Sequence, residues 1–259
     1  MIIDTHCHLD DLRYSDDLDI VIEKAKKNGV LGFVIPGADI NDLKRAKSIA
    51  HKYSEVFYAA GVHPYNIKEY DEHILKEYLK DDKCIAVGEC GLDYFRLPKL
   101  DLDKDEEKNN QKSIFKKQIE LSFEFKKPLI VHIRDANLDS FEIIKSYGSF
   151  SQLGILHCFN ASEMLLELAD SGFYFGIGGV LTFKNAKKLV EVLPKIPLDR
   201  IILETDAPYL TPHPYRGKRN EPIYTTLVAK KMAEILNLSY EQICDITTKN
   251  AKRVFKEFL

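Results

Sequence analysis

The sequence predicts an α/β protein that folds as a single (β/α)8 TIM barrel. Its length of 259 residues is usual for one such barrel. Short apolar segments of β-forming residues recur along the chain, and amphipathic helical patterns separate them. Residues of metal-ligand type stand at the downstream ends of several of these segments, including the first and the last. An open doubly wound sheet, the competing fold, would keep those two ends apart, whereas a closed barrel brings them together.

Eight apolar segments are predicted as strands of one domain, residues 1–259, because no linker or change in composition divides the chain. Some segments are apolar almost throughout, as residues 31–35 are, which suits a parallel sheet covered on both faces. The predicted strands lie near residues 2–5, 30–36, 56–62, 83–88, 128–132, 153–158, 173–178 and 200–205.

Helical periodicity appears between these strands and after the last one. The longest irregular stretch is 93–111, whose alternating aspartates resemble a calcium-binding loop. Glu106 stands where an EF-hand requires glycine, so we predict a solvated loop that runs into a helix. The predicted helices cover residues 17–28, 42–53, 72–79, 113–126, 140–147, 161–171, 184–193, 222–237 and 240–258.

Charge and cysteine content limit the classes of function. The net charge of −3 gives no general attraction for nucleic acid or membrane, so a polyanion would need a local patch or bound cations. The five cysteines are odd in number and form no Cys-x-x-Cys pair, which indicates reduced thiols in the cytoplasm. The sequence shows neither a secretory signal nor an apolar run long enough to span a membrane. Alternation along the strands predicts that Cys7, Cys90 and Cys158 face away from the neighbouring ligands as buried apolar residues.

Six side chains at the strand ends are candidate metal ligands. Residues two apart on a strand point the same way, so His6 and His8 can bind one ion while Cys7 faces away. A single histidine at a strand end is more often a hydrogen-bonded structural residue, but the recurrence at five strand ends indicates a metal site. The six are His6, His8, Glu89, His132, His157 and Asp206.

Four imidazoles and two carboxylates exceed what one tetrahedral ion with an open position needs. They suit two divalent ions bridged by Glu89. We assign His6, His8 and Asp206 to one ion, and the histidines 132 and 157 to the other. Asp206 is also the predicted acceptor of a proton from the attacking water. The donor set leaves the metal open among magnesium, manganese, zinc and nickel.

Further residues near the predicted mouth are candidates for substrate binding. His63 ends the third strand, and Arg134 lies two residues after a proposed ligand and offers a fixed cation for phosphate. Glu204 is two residues before Asp206 and is predicted to point the same way. Three roles are open to it: contacting substrate, holding an additional cation or orienting a ligand. The loop after the last strand is predicted to bind anions through Arg216, Lys218 and Arg219. Three other histidines are predicted to lie on the surface or in a turn: His51, His73 and His213.

The motifs resemble those of the TatD family of metal-dependent hydrolases, within the amidohydrolase-like barrels. The resemblance covers nearly the whole chain and implies a two-metal site at the six residues above. It also implies deoxyribonuclease activity with exonuclease character on single strands, and therefore DNA as substrate. The sequence departs from the family at 159–161, where Phe-Asn-Ala replaces Phe-Ser/Thr-Gly, which bears on the shape of that loop. The matching segments are 3–10, 61–64, 88–94, 128–136, 157–159, 178–183, 204–210 and 216–222.

Three functions are compatible with the sequence, and hydrolysis of DNA phosphodiester bonds is the one it favours. The second is ester or amide hydrolysis on the same barrel, including removal of a D-amino acid from transfer RNA, an activity known in the family. Related barrels that open cyclic amides often bridge their metals with a modified lysine, whereas Glu89 occupies that position here. The third is a non-catalytic scaffold, which would be expected to lack a ligand. No obligate protein partner is inferred, and four aromatic residues after strand ends either stack bases or pack locally: Tyr65, Tyr94, Phe95 and Tyr209.

Overall fold

Eight parallel strands form one sheet in the order β1 to β8 in the computed structural model, which describes residues 1–148 and 154–258. The predicted start of the sixth strand, residue 153, and the last residue of the chain lie outside the described residues. The strands are β1 Ile2–Asp4, β2 Val30–Ile35, β3 Val56–Ala60, β4 Cys84–Asp93, β5 Leu129–Arg134, β6 Gly154–Leu156, β7 Phe173–Ile177 and β8 Ile201–Leu203.

Backbone hydrogen bonds between the segments that follow β1 and β8 close the sheet into a barrel. The Thr5 amide donates to the Leu203 carbonyl at 3.1 Å, and the Asp206 amide donates to the His6 carbonyl at 2.9 Å. A third bond, 2.7 Å long, runs from the His8 amide to the Ala207 carbonyl. The barrel predicted from the sequence is therefore confirmed. Its closure brings together the segments that follow the first and the last strand.

Eight α-helices surround or cap the barrel within the described part of the chain. They are α1 Leu18–Lys27, α2 Leu43–Lys52, α3 Glu72–Leu79, α4 Asp101–Phe125, α5 Asn137–Ser146, α6 Lys187–Val192, α7 Thr225–Leu236 and α8 Tyr240–Val254. The helix predicted at 161–171 is instead a 3-10 segment, Glu163–Ala169. None of the helices that the structure describes has the length and apolar character needed to cross a membrane.

The barrel interior is filled by apolar side chains from all eight strands, together with residues at the end of α8. Ala251, Val254 and Phe255 belong to this inner cluster, and Phe258 packs against it. The Phe258 ring lies 4.8 Å from that of Phe57 near the start of β3, so this end of the chain covers the N-terminal opening. The strands contribute Ile3, Val34, Ala59, Ile85, Ala86, Ile130, Ile155, Tyr174 and Ile202.

The prediction of a loop over 93–111 is wrong from Asp101 onward, where α4 begins. Most side chains of the first ten positions of this helix are exposed, so they carry no apolar periodicity that a sequence pattern could reveal. Asp101 and Asp103 lie in its first turn, where carboxylates interact favourably with the helix dipole. β4 is also longer than predicted and continues to Asp93.

The cysteine prediction holds for two of the three residues beside ligands. Cys7 and Cys90 are fully buried in the apolar layer between sheet and helices. Cys158 does not face away, because its thiol lies within 4.8 Å of ligand atoms of His157 and Glu204. The reason is that β6 ends at Leu156, so strand alternation no longer applies at a residue whose φ is 45°.

Candidate metal centre

The six predicted ligands meet at the C-terminal mouth of the barrel. Glu89 and His132 lie within β4 and β5, whereas the other four lie just after the ends of β1, β6 and β8. Although His6 and His8 stand beyond the last residue of β1, their Nε2 atoms both face the same carboxylate oxygen of Glu89, as expected. The Cys7 thiol points to the Val34 carbonyl instead.

Glu89 lies at the centre of the cluster, and each of its oxygens faces a different group of imidazoles. Oε2 is 3.3 Å from His6 Nε2 and 3.9 Å from His8 Nε2. Oε1 is 3.0 Å from His132 Nδ1 and 3.8 Å from His157 Nε2. Through these two oxygens Glu89 would help to hold divalent cations bound beside either group.

Asp206 completes the first of these groups. Its Oδ1 is 3.7 Å from His6 Nε2 and 3.4 Å from His8 Nε2. The residue has a φ of 57°, a left-handed conformation that aspartate tolerates better than most side chains do. Its side chain stays 15% exposed, so its carboxylate is accessible from the mouth.

The donor atoms fit divalent cations. Among the atoms described, neither Nδ1 nor Nε2 of the fully buried His6 has a hydrogen-bond partner. Leaving a buried polar atom without a partner is costly, and a cation beside Nε2 would satisfy one of the two. Imidazole nitrogens with carboxylate oxygens are a donor set that zinc, manganese and nickel accept.

Two further carboxylates hold the second group of histidines from behind. Asp93 Oδ2 lies 2.9 Å from His132 Nε2, and Glu204 Oε1 lies 3.0 Å from His157 Nδ1. A carboxylate on the far nitrogen fixes the orientation of an imidazole and increases its basicity as a ligand. Asp93 was not among the residues predicted from the sequence. The available signal was its position four residues after Glu89, which places both side chains on one face of β4.

Glu204 is fully buried, which favours its orienting role over contact with substrate. Its Oε1 also accepts a hydrogen bond of 2.7 Å from the Cys158 amide. A Cβ at Gly176 would lie 2.2 Å from Glu204 Oε2, so only glycine leaves room for this carboxylate.

Burial and neighbouring charges shift the pKa values of the clustered side chains. Burial would raise the pKa of Glu89, but the imidazoles of His6 and His157 hold it well below its usual range. Burial likewise opposes ionisation of Asp206, yet the contact with His8 lowers its pKa. Burial and the charge of His157 lower the pKa of His6. For His157, burial is outweighed by Glu204 and Glu89, which raise its pKa to about 10.

A pocket of about 380 Å³ opens over this cluster, within the size range of ligand sites. His63 and Arg134 line it, as predicted, and Arg96 and Asn66 line it without having been predicted. Tyr65 also lines it, and its ring lies 5.3 Å from the Arg96 guanidinium carbon. Arg96 could not be predicted, because the loop after β4 has no recognisable sequence pattern.

The loop 216–219 is not among the residues that line this pocket, so its predicted anion-binding role at the mouth is not supported. Arg219 forms hydrogen bonds of 2.9 and 2.6 Å with the Asp17 carboxylate. Arg216 donates to the Thr211 carbonyl at 2.9 Å and stacks over Phe183, while Lys218 is exposed. The loop 216–219 is therefore close to Asp206 in sequence but does not line the pocket at the mouth.

The predictions for the remaining histidines agree with the structure. The three histidines predicted at the surface or in a turn are all exposed: His51, His73 and His213. Of the four aromatic candidates, Tyr65 and Tyr209 line the pocket, and Phe95 packs against Arg134 with 3.6 Å between guanidinium carbon and ring centre. Tyr94 is half-buried and donates a hydrogen bond to Asp139, so it packs locally.

Comparison with known proteins gives a consistent result along the whole chain. The family model described as "TatD related DNase" matches residues 3–256. An uncharacterized metal-dependent hydrolase of Bacillus subtilis is 44% identical over 260 residues, which cover 99% of each chain. An uncharacterized metal-dependent hydrolase of Methanocaldococcus jannaschii is 34% identical and covers 99% of this chain and 98% of its own length.

Solved structures agree with these relatives. The crystal structure of a TatD homologue from Escherichia coli matches with a TM-score of 0.91 and 26% identity, covering 98% of both chains. The crystal structure of a beta-aspartyl dipeptidase from Fervidobacterium islandicum matches with a TM-score of 0.64 and 17% identity, covering 98% of this chain and 74% of that one. The second likeness concerns the barrel fold alone.

Proposed function

This chain belongs to the TatD-related family of metal-dependent hydrolases, and we propose that it is a deoxyribonuclease that hydrolyses phosphodiester bonds of single-stranded DNA or DNA ends. The observation that carries the proposal is the position of Glu89. One oxygen faces His6 and His8, and the other faces His132 and His157. When bound, a pair of divalent ions supplies Lewis acid chemistry and lowers the pKa of water, as two-metal phosphodiesterases require.

The residues of the chain divide the remaining tasks. Asp206 is the proton acceptor for the attacking water, because its carboxylate is ionised, partly exposed and beside the first histidine group. Asp93 and Glu204 keep His132 and His157 in place. As the water oxygen bonds to phosphorus, the bond from phosphorus to the leaving oxygen breaks, and the electron pair stays on that oxygen.

The pocket rim supports a polyanionic substrate. Arg96 and Arg134 line the pocket, and neither guanidinium pairs with a carboxylate of the described residues, so both are available for phosphate. Each packs against an exposed aromatic ring, of Tyr65 and Phe95 respectively. Cations interleaved with aromatic faces are typical of surfaces that bind single-stranded nucleic acid without sequence preference. This local patch offsets the overall negative charge of the chain.

The direct test uses end-labelled single-stranded DNA with magnesium, manganese or zinc. We expect cleavage that needs a divalent cation, stops with chelator and falls by at least about 100-fold in Asp206→Asn. Asparagine suits the left-handed backbone of this position, so the variant removes the proton acceptor without a conformational cost. Cleavage that continues at the wild-type rate in Asp206→Asn would show that a contaminating nuclease is responsible.

A separate experiment tests whether the substrate is DNA or an aminoacyl ester. Arg134→Ala should raise KM for DNA about tenfold, whereas Arg216→Ala, a matched arginine away from the pocket, should leave it unchanged. A D-aminoacyl transfer RNA is assayed in parallel. Hydrolysis of that ester by protein that leaves DNA intact would refute the nuclease proposal while retaining a metal-dependent hydrolase.

A further inference from the structure

His63 faces the pocket but belongs to neither group of proposed ligands. It follows β3 and precedes the 3-10 segment Pro64–Glu69. Its Nε2 lies 3.7 Å from Glu89 Oε1, which is beyond hydrogen-bond distance. Its ring centre is 4.4 Å from that of His132, so it sits beside the second histidine group. The side chain is 13% exposed and lines the pocket.

The backbone fixes which nitrogen of His63 carries the hydrogen. The Tyr65 amide donates to His63 Nδ1 at 3.1 Å, an N-cap interaction of the 3-10 segment. A nitrogen that accepts a hydrogen bond has no hydrogen of its own, so the neutral ring must carry it on Nε2. An N–H donor therefore points toward the pocket.

His63 and Asp206 are associated with different oxygens of Glu89. Asp206 is beside His6 and His8, which face Oε2, whereas His63 is on the side of Oε1. In-line displacement at phosphorus places the attacking and leaving oxygens opposite one another. If Asp206 faces the attacking water, a group beside the other oxygen of Glu89 is placed for the leaving oxygen.

We propose that His63 is a catalytic residue whose Nε2–H donates a hydrogen bond to the leaving oxygen of the phosphodiester. The inference rests on the proposed function. As the water oxygen bonds to phosphorus and its proton passes to Asp206, the leaving oxygen keeps the electron pair of the broken bond. The hydrogen bond from His63 stabilises this charge until the oxygen takes a proton from solvent, and the imidazole keeps its own hydrogen throughout.

Two substrates with different leaving groups test the assignment. A deoxydinucleotide releases a strongly basic sugar alkoxide, whereas the p-nitrophenyl ester of thymidine 5′-monophosphate releases a weakly basic phenolate. Loss of a donor to the leaving oxygen matters for the first and little for the second. His63→Ala should therefore lower kcat for the dinucleotide about 100-fold and kcat for the nitrophenyl ester less than about threefold.

His63→Asn separates this role from the cap. Asparagine is a favoured N-cap residue, so it can still accept from the Tyr65 amide, but its amide is too short to replace Nε2. It should retain the wild-type Tm and metal content and show the same substrate-selective loss. Equal losses on both substrates, no loss on either, or loss of bound metal would each overturn the proposal. A wild-type protein that cleaves neither substrate with any divalent cation would instead refute the nuclease function on which it rests.

Nitrogen NMR of the metal-free protein gives a readout independent of activity. At neutral pH the ring of His63 should show a protonated Nε2 and an unprotonated Nδ1. The opposite tautomer would leave no donor facing the pocket and would overturn the assignment.

Discussion

Each histidine of the second group is held between two carboxylates. His132 has Glu89 on Nδ1 and Asp93 on Nε2, and His157 has Glu89 near Nε2 and Glu204 on Nδ1. The rings therefore cannot rotate without breaking a charged contact on either side. A centre built in this way is preorganised for cations, because its ligands need little rearrangement on binding.

Asp93 should consequently matter although it is not a proposed ligand. Asp93→Asn retains an acceptor for His132 Nε2 but removes the negative charge, so metal affinity or activity should fall about 10–100-fold. Metal titration of the purified variant measures this loss. Asp105→Asn, an exposed carboxylate on α4, is the matched control and should behave like the wild type. Unchanged affinity in both variants would show that the Asp93 contact does not support the centre.

The pKa of His157 predicts how metal affinity depends on pH. Because this pKa is raised to about 10, the imidazole of the metal-free protein is protonated at neutral pH, and a bound cation must displace that proton. Affinity should therefore rise about tenfold per pH unit from pH 6 to pH 8 for each proton released. Calorimetric titration with manganese in two buffers of different ionisation enthalpy counts those protons. An affinity that does not change with pH would contradict the raised pKa.

At the scale of elements, α4 supports the mouth of the barrel through two buried glutamines. Gln111 accepts from the Asp93 amide at 2.9 Å and donates to its carbonyl at 3.1 Å. Gln118, two helical turns later, accepts from the Val62 amide at 2.7 Å and donates to its carbonyl at 3.0 Å. These side chains act as hydrogen-bond partners for the backbone at the ends of β4 and β3. One helix thus positions both Asp93 and the residue before His63.

Replacing Gln118 by methionine preserves its size but leaves the amide and carbonyl of Val62 without these buried partners. We expect the free energy of unfolding to fall by about 2 kcal/mol. Urea denaturation measures this change, and Asn110→Met on the exposed side of the same helix should stay within about 0.5 kcal/mol of the wild type. If the two variants are equally stable, the glutamine does not contribute the proposed support.

The strands and the six-residue cluster could be predicted because both follow from local pattern. Apolar segments mark a covered sheet, and ligand-type residues at strand ends must meet once the barrel closes. The start of α4 could not be predicted, because its first turns are polar. Its hydrogen bonds to residues distant in sequence form only in the folded chain. The ion pair between Arg219 and Asp17 could not be predicted either, because the two residues lie far apart in sequence.

At the scale of the whole molecule, the barrel separates stability from chemistry at its two ends. The C-terminal mouth carries the charged cluster, and the N-terminal opening is covered by the apolar residues of α8 and the segment after it. Thr248 of α8 donates to the Met1 carbonyl, and Asn250 donates to the Leu198 and Ile201 carbonyls, so this helix is tied to the first residue and to the start of β8. A functional site at one end of such a barrel and structural packing at the other is the arrangement typical of the fold.

This separation predicts a variant that loses stability and keeps its centre. Phe255 is fully buried in the inner cluster, so Phe255→Ala should lower the free energy of unfolding by about 3–5 kcal/mol in urea denaturation. Cations bound only by the folded state stabilise it by an amount set by their concentration and affinity, about 2.7 kcal/mol at a hundredfold excess over Kd. Because the mouth lies at the far end of the barrel, the metal-induced gain should be the same in Phe255→Ala and the wild type. A smaller gain in the variant would mean that the two ends are coupled, and that packing beneath the barrel helps to shape the centre above it.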